Sequence, residues 1–151
     1  MAPRRVASRL TASDVAAWLV KTSLPPALIE PGWSPGEERT LGRCLRATYR
    51  LGLMSPGQVC LLWLSGQTCP GVHAVGTLVA GPGDERPVDT LDEPGGPVVT
   101  VRLRLLQDPV PRSELMTLPA FAASEVARMP AGSNPSYLTA AQLAEVLARL
   151  S

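Results

Sequence analysis

One histidine, one phenylalanine and three cysteines in 151 residues leave little material for several common chemistries. The cysteines, Cys44, Cys60 and Cys69, are odd in number and no two are spaced C-x-x-C. With His73 the only imidazole, a zinc site has too few ligands. Odd, unpaired cysteines fit a reducing compartment, and a cytoplasmic location is expected. No run approaches the ~18 apolar residues of a membrane span, and the basic start is not followed by an apolar stretch of signal-peptide length. The G-x-S-x-G elbow, the P-loop and G-x-G-x-x-G are all missing. Charge of one sign is missing too. The formal net charge is +1, whereas nonspecific duplex binders carry a clear basic excess. Any nucleic-acid contact must then rest on a local patch or a stacking pocket. Lys21 is the only lysine; every other basic side chain of the chain, His73 aside, is arginine.

What is present is a globular composition, 45% hydrophobic and 18% charged, at a length that suits one domain. Residues 1–11 read as a frayed basic lead-in and residues 12–151 as a single domain. Residues 15–21 (VAAWLVK) form a short apolar run of strand length. Residues 24–36 carry four prolines and two glycines, hence a loop, with room for one helical turn at 27–30. Residues 40–54 are ambiguous. Arg39, Arg43, Arg46 and Arg50 recur at helical spacing, yet Leu45, Ala47, Tyr49, Leu51 and Leu53 alternate as in a strand. Scarce β-branching favours helix for part of this stretch.

Residues 59–64 (VCLLWL) and 72–79 (VHAVGTLV) read as a hairpin with a long turn. Residues 81–97, rich in Gly, Pro and acid, read as an exposed loop. Residues 98–106 alternate as a half-buried strand. Short helices are expected from Ser113 as cap and over 120–128, with a turn at 131–135. Thr139 caps a last amphipathic helix over 140–150. The pattern is α+β.

His73, in mid-strand, reads most simply as a packed or surface residue. The tryptophans are more informative. Trp18 lies in the first strand and fits a core. Trp33, between Pro31-Gly32 and Ser34-Pro35, either plugs the core or faces a ligand. Trp63 stands where its strand ends at Ser65-Gly66, and rings at strand ends can line a pocket mouth.

WLVKTS (18–23), then PGQVCLLWLSGQTCPGVHAVGTLV (56–79), VTVRLRLLQDPVPRSELMTLPAF (99–121) and RMPAGSNPSYLTAAQLAEVL (128–147), stand in an order that resembles the EVE domain family. The resemblance runs from about residue 17 to 150. It implies a PUA-like fold, a curved mixed sheet or small barrel with short helices packed around it. It also implies binding of DNA or RNA through one base, a modified one, held in an aromatic pocket. On that reading Trp33 and Trp63 are the walls. Lys21, Thr22, Ser23, Ser65, Gly66, Ser133 and Asn134 surround the base, and Arg43, Arg46 and Arg50 hold phosphates. No cofactor or metal is implied, and a monomer is expected. The sequence departs from the family at Lys21-Thr22-Ser23-Leu24-Pro25, where a K-S-E-P pattern would carry an acid. It also lacks the W-D-G-V-R-N-Y segment. Two rival readings are an ASCH-like PUA-fold enzyme, built on a Lys/Glu/Thr cluster, and a protein-interaction module.

Overall fold

A computed structural model describes residues 9–81, 96–132 and 134–150. Six strands, β1 (Ala17–Thr22), β2 (Glu38–Cys44), β3 (Val59–Leu64), β4 (Gly71–Ala80), β5 (Val98–Pro111) and β6 (Ser136–Leu138), make one sheet in the order β2-β5-β4-β3-β1-β6. β1 and β3 run parallel; every other neighbouring pair is antiparallel. With β2 and β6 left as edges, the curved mixed sheet stays open and does not close into a barrel. Among the described residues five short α-helices, α1 (Pro26–Ile29), α2 (Arg112–Leu115), α3 (Pro119–Ala122), α4 (Glu125–Arg128) and α5 (Ala140–Leu147), pack around it.

The central strands are near-continuous apolar runs because both faces of the sheet are covered. Side chains alternate across a strand. Ala17 and Leu19 of β1, with Leu61 and Trp63 of β3, therefore join one core together with Phe121, Val126, Leu143 and Val146 of the helices. Trp18 and Val20 of β1, with Cys60 and Leu62 of β3, join the opposite core with Trp33, Leu41, Leu45 and Met54. Burial pushes the Cys60 thiol up to about 12, which makes it a packing group rather than a nucleophile.

A bulge lets β4 serve both cores. The β4 register skips His73 against both neighbours, so Val72 and Ala74 point to opposite faces although two residues apart. On β5, Val99, Val101 and Leu103 face one core, whereas Leu106 and Val110 face the other. The G-V-H-A-V-G segment has a steric basis. A Cβ at Gly71 would lie 2.1 Å from the Val110 carbonyl oxygen, and one at Gly76 would lie 1.8 Å from that of Arg102.

Residues 40–54 are divided between the two readings, and only a short part is helical. Their first part is β2, paired with β5 from Glu38↔Arg104 to Cys44↔Val98, and Tyr49–Leu53 is a 3-10 turn. Pairing to a long strand outweighs the helix propensity of Leu and Arg, which is a weak preference. The expected helix over 120–128 is two turns, α3 and α4, parted at Ser124, whose hydroxyl accepts the Ala127 N–H as an N-cap. Ser113 lies inside α2 and does not cap it. α5 ends at Leu147 and is capped as expected, Thr139 and Gln142 forming a reciprocal capping box. Thr139→Ala is expected to cost about 1 kcal/mol in urea unfolding, with an unchanged m-value.

Candidate functional site

The parallel pair β1 and β3 ends at Thr22 and Leu64, and both chains leave the sheet at the same place. The Ser65 N–H donates to the Thr22 carbonyl at 2.8 Å, so the two exits are tied together. Thr22 is buried. Its hydroxyl accepts the Leu24 N–H at 3.0 Å and faces the Leu24 carbonyl at 3.2 Å, which turns the chain sharply and presents Ser23 to solvent. Gly66 adopts φ +109, a conformation that favours glycine, and opens the loop away from the strand.

A cleft of about 470 Å³ results, lined by Ser23 and Pro25 from the β1 exit, Leu64, Ser65 and Gly66 from the β3 exit, and His73 with the loop 67–69. That volume lies within the usual range for small-ligand sites. Leu64 and Pro25 supply apolar wall, and the two serines supply hydroxyls that both donate and accept. His73 is the bulged residue of β4, and its Nε2 lies 2.7 Å from the Cys69 carbonyl oxygen. The ring is thereby fixed at the cleft wall. Sequence reasoning set this histidine aside. Its bulge depends on pairing with two neighbouring strands, which no local pattern reports.

Beside the cleft, Lys21, Asn134 and Arg46 form a second group. The Asn134 amide pairs with the Lys21 backbone like one more strand residue, Oδ1 accepting the N–H at 3.0 Å and Nδ2 donating to the carbonyl at 3.3 Å. The Asn134 carbonyl accepts the Arg46 N–H at 3.0 Å, and the Asn134–Pro135 peptide is cis. The Lys21 ammonium donates to the Pro130 carbonyl at 3.1 Å. Burial lowers its pKa; the Glu125 carboxylate opposes that effect, and Arg50 and Arg46 reinforce it.

The structure thus brings Ser23, Ser65 and Gly66 to one cleft, and Lys21, Asn134 and Arg46 to its flank, with Thr22 shaping the turn between them. It does not bring the two tryptophans together. Trp33 is 6% exposed and Trp63 is 2% exposed, and they sit in opposite cores with the sheet between them. Trp33 donates Nε1 to the Glu37 carbonyl at 2.9 Å and plugs its loop onto the core. Trp63 stacks on Phe121, with centroids 5.9 Å apart and planes at 21°. The cause is parity: Trp63 shares the face of Leu61, and the strand ends one residue later, so the ring turns inward and not to the cleft.

Arg43 follows Leu41 by two in β2, on the covered face, and is 3% exposed. Arg50 forms a bidentate pair with Glu125 at 2.7 and 2.6 Å and donates to the Pro135 carbonyl. Neither is free to hold phosphate as expected. Ser133 lies outside the described residues, as do residues 82–95, which hold most of the acid-rich loop.

Glu125 is the acid nearest in effect to Lys21, yet its oxygens are engaged by Arg50 and by the Ser136 hydroxyl at 2.7 Å. With Thr22 committed to its turn, the Lys/Glu/Thr cluster of an ASCH-like enzyme is not assembled among the described residues. There, no three His, Cys, Asp or Glu side chains converge to hold a metal, and no helix is long and apolar enough to cross a membrane.

An open, curved six-stranded mixed sheet with short helices packed around it and a cleft at the parallel strand ends makes this an α+β domain. No family model and no curated protein matches the sequence. Solved structures do. The DUF55 domain of human thymocyte nuclear protein 1 superposes with a TM-score of 0.56 at 16% identity, over 87% of this chain and 96% of that one. A hypothetical protein from Leishmania major gives 0.62 at 17% identity, over 91% and 95%. A Pseudomonas syringae protein gives 0.62 at 15% identity, over 88% and 98%. At such identities the likeness is one of fold.

Proposed function

We propose that the chain is a non-catalytic nucleic-acid-binding domain that admits one base, a modified one, to the cleft at the ends of β1 and β3. The observation that carries this reading is the convergence of Ser23, Ser65, Gly66 and the bulged His73 on a single cleft of about 470 Å³. The EVE-type fold and the motif order support it. Human THYN1 has been solved in complex with 5-methylcytosine-containing DNA. That is a property of the human protein, whose complex superposes at a TM-score of only 0.49.

With the two indoles in opposite cores, the energetics of base capture change. Extruding a base from a duplex costs a few kcal/mol and less from a single strand. Each aromatic partner returns about 1–3 kcal/mol. Two indoles could offset extrusion from a duplex; one imidazole with Pro25 and Leu64 does not. The target is therefore an unpaired base in single-stranded DNA or RNA. Ser23 and Ser65 read its polar edge, while an added methyl group is sensed against the apolar wall, worth roughly 1–3 kcal/mol.

Amide chemical-shift mapping with nucleosides and short oligonucleotides, plain and 5-methylated, tests this. Shifts are expected at Ser23, Ser65, Gly66 and His73, with single strands preferred to duplexes. Ser23→Leu and Ser65→Leu should each weaken binding about tenfold or more, roughly 1.4 kcal/mol, at little cost to Tm. If millimolar nucleosides and oligonucleotides leave all four amides unmoved, the cleft is not a base site.

A further inference from the structure

We propose that a second cleft, walled by Arg9, Tyr49 and Arg128, holds a backbone phosphate of the strand whose base enters the first. This deepens the base-binding reading and rests on it for the identity of the ligand. The cleft measures about 560 Å³ and is lined also by Asp14, Arg50, Glu125 and Tyr137. Its charges are unequally committed. Glu125 is engaged by Arg50 and Ser136. The Asp14 carboxylate accepts both the N–H and the hydroxyl of Thr11 at 2.9 Å. Arg9 and Arg128 have no ion-pair partner among the described residues, and both are exposed.

Arg9 is also pre-positioned. Its guanidinium carbon lies 4.6 Å from the centroid of the Tyr49 ring, and the Tyr49 hydroxyl accepts the Leu10 N–H at 2.8 Å. A guanidinium stacked on a ring keeps its N–H edge directed outward, the geometry that grips a phosphate through two parallel hydrogen bonds. Arg128, in the last turn of α4, supplies the second cation. Arg50 lies over Tyr137 at 5.5 Å and, tied to Glu125, forms the floor.

Lys21 joins the two sites. Its strand runs into the base cleft at Ser23, while its ammonium is held at Pro130 and feels both Glu125 and Arg50. A strand passing from one cleft to the other would lay its backbone along Lys21. Two arginines without ion-pair partners among the described residues, beside the partly exposed Tyr49 ring, suit a phosphodiester with its sugar or base better than a lone carboxylate. They also replace Arg43 and Arg50, which the fold uses elsewhere.

The test compares wild type with the Arg9→Ala/Arg128→Ala double variant against a nucleoside, a trinucleotide and inorganic phosphate, across a range of salt concentrations. Nucleoside affinity should be unchanged. Trinucleotide affinity should fall about tenfold, and the slope of log K against log salt should lessen by about 0.7 for one lost phosphate contact. Both positions are exposed, so an unaltered Tm shows that the variant is folded. If the nucleoside binds and the trinucleotide keeps its affinity and salt slope in the variant, the phosphate site is overturned and the base site stands. If the nucleoside fails to bind while trinucleotide binding depends on the two arginines, the base site falls and the phosphate site stands. Inorganic phosphate that competes as well as the trinucleotide would mark a free-anion site and overturn the strand proposal. A wild-type protein that binds no trinucleotide overturns it as well.

Discussion

Trp63→Ala is expected to destabilise the protein by about 3–5 kcal/mol, the usual cost of removing a large buried ring. The indole is 2% exposed, lies among Leu61, Leu115 and Leu138, and stacks on the only phenylalanine, Phe121. For a chain of this length the Tm should fall on the order of 10 °C. Since whole domains are stable by only about 5–15 kcal/mol, a large share of the stability goes with one side chain. Trp63→Phe keeps most of the packing and should retain nucleoside binding. A Trp63→Ala protein that melts like wild type but no longer binds nucleosides would show that the ring is a ligand wall, and the core assignment would be wrong.

The second large effect belongs to the clamp across the β6 edge. Arg50 comes from the 3-10 turn on one side of the sheet and Glu125 from α4 on the other, and their side chains are 12% and 10% exposed. Removing one member of such a pair leaves a desolvated charge without its partner, at a cost of about 3 kcal/mol. Glu125→Ala should lose that amount in chemical denaturation. The double variant Arg50→Ala/Glu125→Ala should lose less than the sum of the single variants, because the two groups act as a unit.

The clamp also sets an acid limb. Burial alone would raise the Glu125 pKa, but the hydrogen bonds from Arg50 and Ser136 and the charges of Arg50 and Lys21 outweigh it, so the carboxyl titrates below its ordinary 4.5. The same hydrogen bond raises the Arg50 pKa against its own desolvation. A depressed carboxyl pKa contributes stability that is fully present above the unfolded value, and this is lost as pH falls through the folded one. Tm measured against pH should therefore drop below about pH 4.5 in the wild type. Glu125→Gln should flatten that drop; an acid limb of equal steepness in the variant would assign it to other carboxylates.

Much of the fold was legible in local pattern. The apolar runs 15–21 and 59–64 are strands because a doubly covered strand must be apolar on both sides. Thr139 capped its helix as read, since capping is a local hydrogen bond. The stretch 40–54 stayed ambiguous because its local pattern fits helix and strand alike, and its first part is a strand only because of the β5 backbone it pairs with. Of the residues that line the cleft, Ser23 came only with the family resemblance, whereas Ser65 and Gly66 were legible as small residues where a strand ends. The tryptophan pair was not, because adjacency in a motif does not say which face of the sheet a side chain takes.

By itself the sequence determined the α+β class, the strands at the centre of the sheet and the small polar residues at their carboxyl ends. These follow from alternation, chain punctuation and hydrogen bonds a few residues long. Only the tertiary structure decided that Trp33 and Trp63 lie in separate cores, that Arg43 and Arg50 serve the fold, and that His73 bulges to the cleft. Each of those outcomes depends on a partner far away in the chain, through a register or an ion pair that no local window contains.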